Sequence, residues 1–184
     1  MRGSMSNPDD AGLVEAARQG DRRAFELLLT PLIQPAYRVA FRMLGDRDEA
    51  DDAVQEAALH AWTAVGRLRS GTPSLRPWFL KVVINQCRST RRRRWWRVLR
   101  LPHVPESATA GADLDGAWDL RRAVERLPHG QQVLLHLYFC LDLPFDEIGQ
   151  VLGISPAAAK ARLYRITRRL RPELETSEVH CDGA

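Results

Sequence analysis

The sequence has very little lysine and no long hydrophobic run. Lys81 and Lys160 are the only lysines among 27 basic residues. The positive charge is therefore carried almost entirely by arginine, whose planar guanidinium suits phosphate and base-edge contacts. The net charge of +4 favours an anionic partner. No apolar stretch approaches the roughly 20 residues of a membrane span, and no secretory signal is recognisable, so we expect no membrane insertion and a cytoplasmic location.

Cysteine is also scarce, with three residues and no CxxC spacing. An odd number of cysteines at irregular spacing argues against a disulfide framework and fits a reducing compartment. His136, Cys140, His180 and Cys181 could in principle bind zinc, but their spacing matches none of the usual zinc patterns. We therefore expect no metal and no cofactor.

An enzyme built on a cysteine nucleophile is a second alternative. Arg88 stands beside Cys87 and could depress the pKa of its thiol. However, no histidine or carboxylate is placed by sequence to act as its base, and no glycine-rich phosphate loop is present. We therefore expect that the protein is not an enzyme.

Hydrophobic periodicity is helical nearly throughout, and no stretch alternates as a strand does. In the first half, Pro31 and Pro35 are expected to kink or divide a helix capped by Asp21. A third helix is predicted from Asp46 or Asp48 to about Val65. A fourth is predicted to open at Pro77 and to run into the arginines at 91–94. The predicted fold class is all-α.

The periodicity breaks between Leu101 and Gly116, a stretch with two prolines, two glycines, one serine and one threonine. This stretch is predicted to be a flexible linker between two small helical domains. The second domain should contain helices at 118–126, 128–140 and 145–152. A last helix should follow, from the Ser155-Pro156 cap to about Arg171, with a frayed tail from Glu173.

A helix-turn-helix is predicted between Phe145 and Arg171. Gly153 can end the first helix in the left-handed conformation, and Ser155 caps the second. The second helix has a small N-terminal end and cationic flanks, as a major-groove helix does. The alternative is a basic, solvated helical hairpin, but the Gly-Ile-Ser-Pro turn between two amphipathic helices favours DNA binding.

The first domain presents two faces of opposite charge. The helix at 48–56 is too acidic to lie on DNA, so it is either a docking surface for a basic protein or a solvated face. The helix at 78–100 interleaves cations with aromatic and amide residues, which suits melted DNA. The alternative for its arginine run is a charged helix end.

These segments together resemble the extracytoplasmic-function sigma factors, group 4 of the sigma-70 family. The segments that carry the resemblance are 48–56 with Trp62, 78–85 with the arginine run, Leu127-Pro128, Glu147-Ile148-Gly149, 152–155 and 160–165. The sequence departs from the usual family pattern at two places that affect base preference. Ser89 stands where an acidic residue is common, and residues 157–159 are all alanine. The resemblance covers about residues 21–171.

The opening Met1-Arg2-Gly3-Ser4 before Met5 indicates that residues 1–6 are an expression-vector remnant or disordered start. The resemblance implies a division of the rest of the chain, in which 7–100 are expected to be sigma region 2, 101–117 the linker, 118–172 sigma region 4 and 173–184 a tail. It implies core RNA polymerase as partner, through its clamp helices and flap regions, together with promoter DNA and an anti-sigma factor. It also implies that the turn after the acidic helix captures an extruded base of the −10 element.

The resemblance also implies three sets of binding residues. Those expected to bind polymerase are Asp48, Asp51, Asp52, Gln55 and Glu56. Those expected to bind the −10 element are Arg67, Arg69, Lys81, Asn85, Arg88, Arg91, Arg92 and Arg93. Those expected to bind the −35 element are Ser155, Ala157, Ala158, Lys160, Arg162, Arg165 and Arg168. The other function compatible with the sequence is a stand-alone helix-turn-helix regulator, which would bind duplex DNA tightly without polymerase.

Overall fold

The computed structural model describes residues 10–98 and 117–179, with side chains at 10–94 and 120–170. All the regular structure in these ranges is helical, which confirms the all-α prediction. The helices are α1 (Asp10–Arg18), α2 (Arg22–Leu44), α3 (Arg47–Ala64), α4 (Arg76–Val98), α5 (Ala117–Glu125), α6 (His129–Leu135), α7 (Phe145–Leu152) and α8 (Pro156–Val179). A 3-10 turn at Val65–Arg67 follows α3, and a π-helical turn at His136–Cys140 follows α6.

Short polar side chains fix the starts of α2 and α3. The Asp21 carboxylate accepts from the backbone N–H of Ala24 at 3.1 Å, and that of Asp46 accepts from Glu49 at 2.9 Å. Each bond satisfies one N–H that has no partner inside its helix. Gly45 ends α2 at φ 74°, a conformation that glycine adopts without steric cost.

The two prolines do not divide α2, so that part of the prediction was wrong. Pro31 and Pro35 both lie inside one continuous helix. They are four residues apart and so share one side of the helix, where Pro31 is exposed. The carbonyl group that loses its partner beside the exposed Pro31 can be hydrated. Leu28 and Val39, three residues before Pro31 and four after Pro35, stay buried in the core.

The first core lies between α2, α3 and α4, with α1 packed on α2. Alanines dominate the inner face of α3, and their small side chains let α4 approach closely. From α4, Phe79, Val83 and Cys87 are fully buried. Phe25 and Trp62 close one side, with ring centroids 5.3 Å apart. Trp78 is only half-buried.

The second domain differs from the prediction in two places. The helix predicted at 128–140 is α-helical only to Leu135 and then continues as the π-helical turn. The last helix does not fray at Glu173 but continues to Val179, in a stretch rich in good helix formers such as Glu and Leu. The linker predicted at 101–117 lies outside the described residues, apart from Ala117, where α5 begins.

The two helical groups contact each other directly. Helix α4 packs against α7, and α2 packs against α6. The Arg42 Nε donates to Nδ1 of His136 at 3.1 Å, and the Arg76 guanidinium donates to the carbonyl of Leu141. The sequence had left this arrangement open. None of the helices in residues 10–98 and 117–179 is long and apolar enough to cross a bilayer.

Candidate nucleic-acid interface

The turn between α7 and α8 is built as the sequence predicted. Gly153 ends α7 at φ 72°, and its N–H and that of Ile154 both donate to the carbonyl of Gly149, at 2.9 and 3.0 Å. The Ser155 hydroxyl accepts from the N–H of Ala158 at 3.1 Å and so caps α8. Gly149 is required because a Cβ there would lie 2.7 Å from the carbonyl oxygen of Ile154.

Helix α8 presents a solvent-facing ridge that begins at its N-terminus. Ala157, Tyr164 and Arg168 recur at seven- and four-residue intervals and therefore share one side of the helix. All three are exposed, with Tyr164 at 73%. Lys160 flanks this ridge. Tyr164 was not among the site residues predicted from the sequence, although its exposure leaves the ring available for an aromatic contact.

The cationic residues of α4 form a second ridge. Lys81, Asn85, Arg88 and Arg92 are spaced at four, three and four residues, so they lie along one side of the helix, and all are exposed. The opposite side carries the buried Phe79 and other core residues. One helix therefore joins the core to a continuous strip of cations and one amide.

The loop between α3 and α4 is tied down at its start. The Arg18 Nε donates to the carbonyl of Leu68 at 2.8 Å, and the same guanidinium binds Glu15 at 2.5 Å, which lowers the pKa of that carboxyl group. Arg67 and Arg69 are exposed on either side of Leu68. The loop thus holds two arginines outward near the start of α4.

The acidic face of α3 separates into two groups. Asp48, Asp51, Asp52 and Gln55 lie along one side of the helix and are exposed. Asp51 and Asp52 form no ion pair or hydrogen bond with their side chains within the described part of the chain. They form, with Asp48 and Gln55, a free outward-facing surface, here called the acidic ridge.

Glu49 and Glu56 face α4 instead. Glu56 accepts from the Gln86 amide and pairs with Arg93 at 3.5 Å, while Glu49 pairs with Arg94 at 3.5 Å. From the sequence, Glu56 was expected to bind polymerase and Arg93 to bind DNA. Pairs this exposed contribute about 0–1 kcal/mol, so an external partner can replace them at low cost.

Two family models match the chain in sequence order. Sigma-70 region 2 matches residues 28–97, which contain α3 and all of α4 except its last residue. Sigma-70 region 4 matches residues 117–170, which contain the helix-turn-helix. The chain belongs to the extracytoplasmic-function group of the sigma-70 family. The resemblance inferred from the sequence is thereby confirmed.

Curated relatives and solved structures agree with this assignment. The sigma factor is 28% identical to the ECF RNA polymerase sigma factor SigM of Mycobacterium tuberculosis, over 91% of this chain and 86% of SigM. It is 27% identical to the sigma factor SigV of Bacillus subtilis, over 79% of this chain and 88% of SigV. Among solved structures, CnrH matches at 23% identity and RpoE of Bartonella quintana at 21%. The TM-score is 0.64 for both. The match to CnrH covers 91% of this chain and 97% of CnrH, and the match to RpoE covers 82% of this chain and 96% of RpoE.

The predicted site residues of the sigma factor are nearly all exposed. Ala158 is the exception and is half-buried at the start of α8. Arg162 and Arg165 are exposed, but they line a cleft next to Arg88 of α4, together with Arg169. The sequence alone assigned Arg162 and Arg165 to the −35 element and Arg88 to the −10 element, and gave no sign that these side chains converge.

The residues considered for metal or thiol chemistry lie in different surroundings. His136 is buried, at 4% exposure, whereas Cys140 is exposed. No group of three or more potential metal ligands occurs in the part of the sigma factor that the structure describes. His180 and Cys181 lie outside that part. Burial raises the pKa of the Cys87 thiol to about 12, so Cys87 is a core residue rather than an activated nucleophile.

Proposed function

We propose that this sigma factor binds core RNA polymerase through the acidic ridge and directs it to promoters with −10 and −35 elements. The −10 contacts are assigned to the α4 ridge with Arg67 and Arg69, and the −35 contacts to the N-terminal half of α8. The protein supplies binding and strand separation, while the polymerase supplies the chemistry. It works in the cytoplasm and has no catalytic activity of its own.

One observation carries this proposal: regions 2 and 4 follow each other in one chain, each with its own exposed cationic helix. The sign of the charge on each surface indicates which partner it binds. Arginines and lysine on α4 and α8 neutralise phosphates, which gives affinity for DNA. The carboxylates of Asp51 and Asp52 would repel DNA and attract a basic protein surface. A stand-alone regulator would not need an acidic ridge on the same domain as the residues assigned to melted DNA.

An anti-sigma protein is part of the proposal. RpoE of Bartonella quintana was solved in complex with the anti-sigma factor NepR, and CnrH in complex with the cytosolic domain of CnrY. A comparable regulator of this sigma factor would inhibit it most directly by covering the acidic ridge. Polymerase binding would then be blocked, and the regulator would not need to contact the DNA-binding residues.

The test is run-off transcription with bacterial core polymerase and a library of promoter fragments. We expect specific transcripts from wild-type protein and their loss in Asp52→Arg, which places a positive charge in the middle of the acidic ridge. The matched control is Glu26→Arg, which reverses another exposed carboxylate, on α2, whose ion pair is with Arg22. Glu26→Arg should transcribe as wild type does.

Two outcomes would contradict the proposal. Equal loss in both variants would mean that net charge, and not the acidic ridge, governs activity. No transcripts at all, combined with nanomolar binding of duplex DNA by the protein alone, would favour the stand-alone regulator.

A further inference from the structure

A cleft of about 500 Å³ lies between the two domains, and four arginines line it. Arg88 comes from α4, and Arg162, Arg165 and Arg169 come from α8. The rest of the lining is apolar or neutral, with Gln131 as its polar member, and no carboxylate takes part. The cleft therefore concentrates positive charge from both DNA-binding domains at one place.

The three arginines of α8 reach the cleft because of their spacing. Arg162, Arg165 and Arg169 stand three and four residues apart, so they form one side of the helix. Arg168 follows the exposed ridge of Ala157 and Tyr164 and does not line the cleft. The cleft side of α8 is thus distinct from the ridge that faces outward from its N-terminus.

None of the four guanidinium groups has an anionic partner among residues 10–94 and 120–170. The Arg88 guanidinium donates to the amide oxygen of Asn85 at 3.3 Å. The Arg165 guanidinium donates to the backbone carbonyl of Ala161, in the same helix, at 3.4 Å. Elsewhere in the protein exposed arginines do find carboxylates, as Arg22 does. Like charges that converge without a counter-charge repel each other, and an anion placed among them removes that repulsion.

We propose that this cleft binds a single oligophosphate, either inorganic or the polyphosphate chain of a nucleotide, and that the bound anion ties the two domains together. Guanidinium forks match phosphate oxygens in bidentate geometry. The volume lies within the range of roughly 300–1,000 Å³ that is typical of small-molecule sites.

Competition with promoter DNA follows, and this consequence rests on the proposed function. Arg88, Arg162 and Arg165 are also assigned to promoter contacts, so a bound oligophosphate withholds them from DNA. Arg169 is not assigned to DNA. It therefore separates the two activities: its loss should weaken anion binding about tenfold and leave promoter binding in place.

The test is isothermal titration calorimetry of the full chain with inorganic tripolyphosphate, and in parallel with adenosine triphosphate, both at physiological salt. We expect one site per chain. Removing one charge-assisted contact should weaken binding about tenfold, so Arg169→Ala and Arg88→Ala should each do so. Arg168→Ala is the matched control, an equally exposed neighbour outside the cleft, and should change the affinity less than about twofold.

The two ligands distinguish the source of the phosphates. Equal affinities would show that the phosphate chain alone is recognised, and tighter binding of the nucleotide would show that the base adds contacts. In a promoter-binding assay, tripolyphosphate should inhibit the wild type, and inhibition of Arg169→Ala should need about tenfold more tripolyphosphate.

Several results would overturn the proposal. No saturable binding would do so, as would tight binding of a single-stranded oligonucleotide with none of tripolyphosphate. An equal loss in Arg168→Ala and Arg169→Ala would indicate a general ion atmosphere. An unchanged affinity in Arg88→Ala would confine the site to α8. The titration contains neither polymerase nor promoter, so its failure is distinguishable from a failure of the proposed function in run-off transcription.

Discussion

Gly149→Ala should destabilise the second domain, although an alanine normally stabilises a helix. Gly149 lies in α7, and its carbonyl accepts from Gly153 and Ile154 across the turn. An added Cβ would lie 2.7 Å from the carbonyl oxygen of Ile154 and 3.3 Å from the nitrogen of Pro156. Both are backbone atoms, so relief requires the turn itself to move.

The magnitude follows from two opposing effects. In an unhindered helix the change from glycine to alanine is worth up to about 1 kcal/mol of stabilisation. Forcing a methyl group into a packed site costs about 1–3 kcal/mol. With the full offset of about 1 kcal/mol, we therefore expect Gly149→Ala to lower the free energy of unfolding by up to about 2 kcal/mol net. Because the turn sets the angle of α8, affinity for −35 duplex DNA should fall as well.

The assay is urea denaturation followed by circular dichroism at the helix band, with duplex binding measured on the same samples. Gly130→Ala is the control, since Gly130 is also helical and an added Cβ there meets nothing within 4 Å. It should leave stability unchanged or raise it. If Gly149→Ala proved as stable as Gly130→Ala, the close approach of the two helices would not be what requires glycine.

Three further predictions concern single side chains. Burial, and then the charges of Arg42 and Arg38, lower the pKa of His136 to about 4 from 6.5. The unfolded chain therefore takes up a proton first as the pH falls, and the free energy of unfolding should drop by up to about 2 kcal/mol between pH 6.5 and 5. His136→Asn should not show this drop in denaturation curves, and an equal drop there would assign it to other groups. Cys87, buried with a pKa of about 12, should resist maleimide at pH 8 while the exposed Cys140 reacts; mass spectrometry of labelled peptides checks this, and rapid labelling of native Cys87 would contradict it. Asp46→Ala removes the cap of α3 and should cost about 1 kcal/mol, whereas Asp46→Asn should restore most of it.

Much of the fold could be predicted from the sequence because it depends on local chemistry. The caps at Asp21, Asp46 and Ser155 and the helix end at Gly153 depend on residues adjacent in the chain. A short side chain bonds to the nearest free N–H, and only glycine adopts the left-handed conformation without strain. These features, with helical periodicity, also located the helix-turn-helix and so the family.

Helix interiors and ends were less predictable. Pro31 and Pro35 were expected to kink or divide α2, yet the helix is continuous. Packing of its buried side against α3 and α4 outweighs the lost hydrogen bonds, since most helical stability in proteins comes from tertiary packing. The same limit applies to α6, whose change to a π-helical turn at His136 has no local sequence signal.

The sequence by itself determined which residues are charged and which side of each helix they occupy, because periodicity fixes both. Only the tertiary structure decided what those residues meet. It turned Glu56 towards Arg93, enclosed His136 beside Arg42, and brought Arg88 into one cleft with Arg162. These contacts join residues between 37 and 94 positions apart in the chain. Such pairings depend on how helices pack, and helix packing is set by the shape and volume of whole faces rather than by any local motif.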